Sequence, residues 1–109
     1  MVSQIYVKFI PEKMVTKDHV NKAKSANLVP IIKGILEEAK SHSMGVDSNP
    51  DEISFLMIEP TTKDIPREEL DSIMGKLGSQ KEPSGGWLPV VVEYKGDYYI
   101  VGGKDAYCG

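Results

Sequence analysis

The strongest constraint in this chain is a pair of β-rich runs around a two-residue turn. Pro89-Val90-Val91-Val92-Glu93-Tyr94 and Tyr98-Tyr99-Ile100-Val101 are dense in β-branched and aromatic residues, and Lys95-Gly96 between them supplies the turn. A hairpin here requires a sheet, so the remaining segments are read for what completes it. Residues 4–10, Gln-Ile-Tyr-Val-Lys-Phe-Ile, read as a strand stopped by Pro11. Residues 66–77 predict the clearest helix. Pro66 suits its first position, Leu70, Ile73, Met74 and Leu77 share one face, and Gly78 closes it.

Between these, residues 17–26 look helical and Lys-rich with little apolar face. Leu28, Ile31, Ile32, Ile35, Leu36 and Ala39 recur at helical spacing to about residue 41, with Pro30 in the first turn. Residues 43–50 and 79–86 read as loops. Residues 53–58, Ile-Ser-Phe-Leu-Met-Ile, are almost continuously apolar and predict a central strand buried on both sides. The order is β-α-β-α-β-β, with helical crossovers that favour parallel pairing of the first three strands. Leu70, Ile73, Met74 and Leu77 are expected to face the sheet with Ile32, Ile35, Leu36, Phe55, Met57, Val90 and Val92.

Composition narrows the function. A chain of 109 residues, 40% hydrophobic and 27% charged, is one domain spanning 1–109. No apolar run reaches the roughly 18 residues of a membrane helix, and the first residues lack a signal peptide's pattern, so a soluble, cytoplasmic protein without a membrane partner is expected. Thirteen bases against sixteen acids give a net charge of −3, and Arg67 is the one arginine. Phosphate and base-edge recognition favour guanidinium groups, which argues against a nucleic-acid partner. The lysines at 13, 17, 22, 24 and 33 form either a solvated helix face or a surface for an acidic partner. The single cysteine, Cys108, excludes an internal disulfide, a CxxC pair and a cysteine-based zinc site; His19 and His42 lack ligand spacing, and no metal is expected.

The stretch Trp87-Leu88-Pro89-Val90-Val91-Val92, then Lys95-Gly96, then Ile100-Val101-Gly102-Gly103-Lys104-Asp105 resembles the end of glutaredoxins and small thioredoxins. Residues 53–60, the 66–78 helix and the strand at 5–10 are similar to the corresponding parts of phage-type glutaredoxins, which also suggests a viral source. The resemblance implies a thioredoxin-like α/β fold with a four-stranded mixed sheet, helices on its faces and a third helix truncated or absent. It implies a cis Pro89 beside the site, with the backbone of Leu88 offered to an extended peptide. Gly102-Gly103 would admit a ligand backbone, and Asp105 would face the amine end of a glutathione-like ligand.

The family's nucleophilic CxxC is missing. Its place falls on Ala26-Asn27-Leu28-Val29, or in a tighter alignment on Lys17-Asp18-His19-Val20, and neither contains cysteine. Dithiol exchange needs an attacking thiolate and a resolving one. The expected function is therefore a redox-inactive binding module. It would hold a peptide, a protein partner or a glutathione-like ligand in a groove formed by Ala26, Asn27, Leu88, Pro89, Gly102, Gly103 and Asp105, with Trp87 at the rim. Two alternatives stay open. One is a monothiol redox protein using Cys108. The other is a ParB/sulfiredoxin-type fold, suggested by Tyr99-Ile100-Val101-Gly102-Gly103, in which Ala106 stands where that family has its arginine. Oligomeric state is left open.

Overall fold

A computed structural model of the chain describes residues 2–46 and 51–105. Five strands form one mixed sheet: β1 (Val2–Ile10), β2 (Lys24–Ser25), β3 (Thr61–Pro66), β4 (Trp87–Tyr94) and β5 (Asp97–Asp105). Their spatial order is β2-β4-β5-β1-β3. β1 runs antiparallel to both neighbours, pairing Ile5 with Gly103 of β5 and with Lys63 of β3. Among the described residues only the two-residue β2 pairs in parallel, with Val92 and Glu93 of β4. The helices are α1 (Lys17–Lys22), α2 (Lys33–Val46), α3 (Glu52–Met57) and α4 (Arg67–Lys76).

Strand β1 alternates from Val2 to Phe9, and Ile10 is buried as well. Ser3, Ile5, Val7 and Phe9 are buried beneath the helices, while Gln4, Tyr6 and Lys8 are half-buried on the outer face. Inside, Ile32, Ile35, Leu36 and Ala39 from the α2 side and Leu70, Ile73, Met74 and Leu77 from the α4 side close over Ile5, Val7, Val92, Tyr99 and Val101. Phe9 and Tyr99 meet edge to face at 5.5 Å between ring centres, an arrangement the ring quadrupoles favour. The outer face carries Tyr6, Lys8, Val91, Tyr98 and Ile100, all half-buried. Burial, with a smaller contribution from the Glu82 carboxylate, raises the Tyr6 hydroxyl above its ordinary pKa, and burial lowers that of Lys8.

Several sequence expectations hold. β1 forms where its β-branched and aromatic content put it, the 66–77 helix where periodicity put it, and Gly78 follows α4 in the left-handed region at φ 73°. The hairpin turns at Lys95 and Gly96, with φ of 52° and 80°. Two positive values in succession are those of a type I′ turn, whose twist matches its strands. His19 serves locally: its backbone N–H donates to Thr16 Oγ1 while its Nδ1 accepts from the Thr16 N–H, a reciprocal cap on α1.

Other expectations are corrected. The sheet has five strands, not four, and β1 has no parallel partner. Residues 52–57 are helical, and Leu56 and Met57 are exposed rather than in the core, with Phe55 half-buried against Lys8. A six-residue apolar run does not distinguish strand from helix by periodicity, and Leu and Met favour the helix. The strand lies instead at Thr61–Pro66, a polar stretch of which only Ile65 is buried. The 28–41 helix begins at Lys33. Pro30 bars Val29 from helical angles (φ −140°, ψ 74°), so the chain makes two short 3₁₀ turns, Ala26–Leu28 and Pro30–Ile32, before α2. α2 also runs to Val46, into the expected loop.

Candidate functional site

The residues expected to form a groove do not converge. Ala26 and Asn27 follow β2, which runs alongside Val92 and Glu93 in the same direction, so they lie toward the Tyr94 end of β4. Trp87, Leu88 and Pro89 occupy the other end, about 17 Å along the strand at the usual rise per residue. Leu88-Pro89 is trans, as is every peptide bond among the described residues. The β4–β5 ladder changes register between Trp87 and Val90, and this bulge accommodates a proline that has no N–H to give. The Leu88 backbone is already occupied. Its N–H donates to the Gln80 carbonyl at 2.9 Å, and its carbonyl accepts from Ser79 Oγ.

Gly102 and Gly103 are buried within β5, and the space beside each belongs to the chain's own side chains. A Cβ at Gly103 would lie 2.7 Å from Leu70 Cδ1 on the helix face, and one at Gly102 would collide with the Tyr6 ring on the outer face. These glycines admit Leu70 and Tyr6 rather than a ligand. The Asp105 carboxylate accepts from Ser3 Oγ at 3.0 Å and stands 3.7 Å from the Arg67 guanidinium. Trp87 Nε1 donates to Asp71 at 3.1 Å, tying β4 to α4, with the Lys81 ammonium 5.6 Å from its ring centre. Trp87, Gly103 and Asp105 therefore meet at one end of the sheet as structural groups. Cys108 and Ala106 lie outside the described residues.

An apolar cleft of about 340 Å³ opens at the β3 edge of the sheet, where β3, α4 and the start of α2 meet. Ile5, Ile32, Ile35, Ile65 and Ile73 form its depth, and Gly34 leaves room between them. Ile31 stands at the mouth, 66% exposed. Its position follows from the break at Val29-Pro30: the 3₁₀ turn sets Ile31 out of phase with α2, so it faces away from the core that Ile32 and Ile35 enter. Leu28 is half exposed on the preceding turn. Glu38, Lys63, Asp64 and Glu69 line the cleft as its charged groups, three carboxylates against one ammonium. Asp64 accepts from Gln4 Nε2 at 3.0 Å, across the β1–β3 pair.

β3 ends the strand order, and among the described residues no strand pairs with its outer side. A second, larger hollow of about 670 Å³ lies between Phe9, Pro11, Glu12, Lys13, Lys40, Met44 and Asp97, with the 2.7 Å Lys40–Asp97 ion pair in its wall. The hollow mixes polar and apolar walls about evenly, where the cleft is mainly apolar.

No family model, curated protein or solved structure matches the chain. The cleft lining holds neither histidine nor cysteine, and its charged groups are three carboxylates and one ammonium at the rim of an isoleucine-lined space. Among the described residues no group of three or more His, Cys, Asp or Glu is placed to hold a metal ion, and no helix is long and apolar enough to cross a membrane. What the arrangement can do is desolvate an apolar side chain and hold its flanks electrostatically.

The cleft residues were not marked by the sequence. A core helix and an exposed anchor show the same apolar spacing, and Ile31 reads as one more turn of the helix face. The only signal was Pro30 itself, which disfavours helical angles in the residue before it.

Proposed function

We propose that the chain is a binding module that holds an extended apolar segment of a partner protein in the cleft between β3, α2 and α4. The expected kind of partner, a peptide or protein, is retained, and the site moves from the Pro89 and Gly-Gly region to the β3 edge. The observation that carries this reading is Ile31, two-thirds exposed at the mouth of an isoleucine-lined cleft beside an open sheet edge. Burying a side chain of this size is worth about 1.5–3 kcal/mol, enough to anchor a contact once the flanking backbone is held.

A peptide-display selection on the wild-type chain, followed by affinity measurement on Ile31→Asp, tests the reading. Selected sequences should carry an apolar anchor and bind the variant about tenfold or more weakly, a loss of about 1.4 kcal/mol or more. Because Ile31 is exposed, the variant's own stability should change by no more than about 0.5 kcal/mol. Selected peptides that bind both proteins equally would place the site elsewhere.

A further inference from the structure

Strand β3 presents its outer backbone groups along Thr61–Pro66 beside the cleft, N–H donors as far as Ile65, with no strand on that side among the described residues. An unpaired edge is a template for another strand. Two occupants compete for it, a second copy of this chain or a segment of a different protein, and the charges of β3 discriminate between them.

Two copies related by a two-fold axis perpendicular to the sheet keep their helix layers on one side, so each residue of β3 meets a residue of the same face. Axes through the middle of the strand set Lys63 against Lys63 or Asp64 against Asp64. Like charges directly opposite each other destabilise a pair. Moving the axis to Thr62 or Ile65 avoids this and leaves half the strand unpaired. Lys63 and Asp64 thus oppose self-pairing.

A foreign strand is free of that restriction. On the helix side its side chains pass over the cleft beside Ile31, Ile35 and Ile65; on the outer side they meet Asp64. On the helix side, Glu38 and Glu69 border the cleft against Lys63, so around the edge as a whole three acids face one base. The chain as a whole carries a net charge of −3, so the wider field also favours a cation. Resting on the binding-module reading above, we infer that β3 takes as a sixth strand an extended segment of a different protein. That segment alternates apolar residues with lysine or arginine.

Nuclear magnetic resonance titration of the isotope-labelled chain with three synthetic peptides tests this: alternating Ile/Lys, alternating Ile/Glu, and the Ile/Lys peptide N-methylated at alternate residues. The Ile/Lys peptide should shift the amides of Thr61–Ile65 and Ile31–Ile35, bind about tenfold or more tightly than Ile/Glu, and weaken as salt is added. N-methylation should remove most of that affinity, because ladder hydrogen bonds hold an added strand. Asp64→Lys with Glu69→Lys should reverse the charge preference. Equal binding of Ile/Lys and Ile/Glu at the cleft would overturn the basic partner and leave the cleft reading standing. Undiminished binding of the N-methylated peptide would overturn strand addition in the same way. Concentration-dependent dimerisation that protects the β3 amides would replace the foreign strand with a second copy. Absence of any shift near Ile31 with all three peptides would overturn both readings.

Discussion

The inner and outer faces of the sheet are built from alternate residues of the same strands, yet they tolerate change differently. Gly103 and Gly102 show the contrast within one dipeptide. Gly103 looks inward to Leu70, which is fully buried and has nowhere to go; Gly102 looks outward to the end of the Tyr6 side chain, which has solvent beside it. The inner face is fixed by packing density, where a displaced methyl group displaces its neighbours in turn. On the outer face an intruding atom can be met by a rotamer change. Identical residues one position apart thus answer to different physics, and a residue's type alone does not say which.

Deleting the inner partner should have the largest effect. Leu70→Ala should cost about 2–5 kcal/mol in urea unfolding, as buried leucines do; a cost below ~1 kcal/mol would break the distinction between the faces. Gly103→Val comes next at about 1–3 kcal/mol, through overpacking against Leu70. Combined with Leu70→Ala it should cost less than the sum of the two, which a double-mutant cycle would read out.

The tyrosines extend the comparison to pH. Tyr99 is fully buried on the inner face, and burial raises its hydroxyl well above the ordinary range, with smaller contributions from the Asp97, Tyr94 and Glu37 charges. The unfolded chain releases that proton near pH 10 while the folded chain keeps it. Stability is therefore intact below about pH 10 and falls above it, by about 1.4 kcal/mol per pH unit for each such tyrosine. Urea unfolding between pH 9 and 11 should show this slope flattened in Tyr99→Phe and flattened less in Tyr6→Phe, whose ring is half-buried. Equal flattening would erase the difference between the faces. The smallest effect is expected for Gly102→Val, below ~1 kcal/mol, because Tyr6 can swing out; near-ultraviolet circular dichroism should report the displaced ring while the unfolding midpoint barely moves.

Where local pattern and tertiary context agree, the sequence was legible. The hairpin had its turn residues and its β-branched runs, α4 had its apolar face and closing glycine, and β1 alternated as it should. Two segments misled for opposite reasons. Residues 53–58 carried the apolar content of a central strand but form α3, with Leu56 and Met57 exposed. Thr61–Pro66 carried almost none and is a strand, because an edge needs only one buried side chain, Ile65, and is protected by charge. The expected binding residues were legible as special positions but not as to purpose. Pro89 marks a bulge and Gly102-Gly103 a close packing of the chain against itself; a ligand and a neighbouring side chain exert the same demand for space. The cleft was invisible because it arises where three elements meet, and no single segment records that.

The strand order also governs how the molecule is made. β5, the middle strand of the sheet, is synthesised last, and it joins partners as distant as Ser3 and Asp105, 102 positions apart. At ordinary translation rates of about 5–20 residues per second, β1 waits for its partner for several seconds. Throughout that interval Ile5-Tyr6-Val7-Lys8-Phe9-Ile10, a β-prone run of the kind that seeds aggregation, keeps its β5-facing edge open, even after β3 can cover the other side of Ile5–Val7. A single charge interrupts it. Lys8, which on the finished sheet lies over the Phe55 ring at 4.4 Å, puts that charge in the middle of the run, the place where natural strands carry gatekeeper residues.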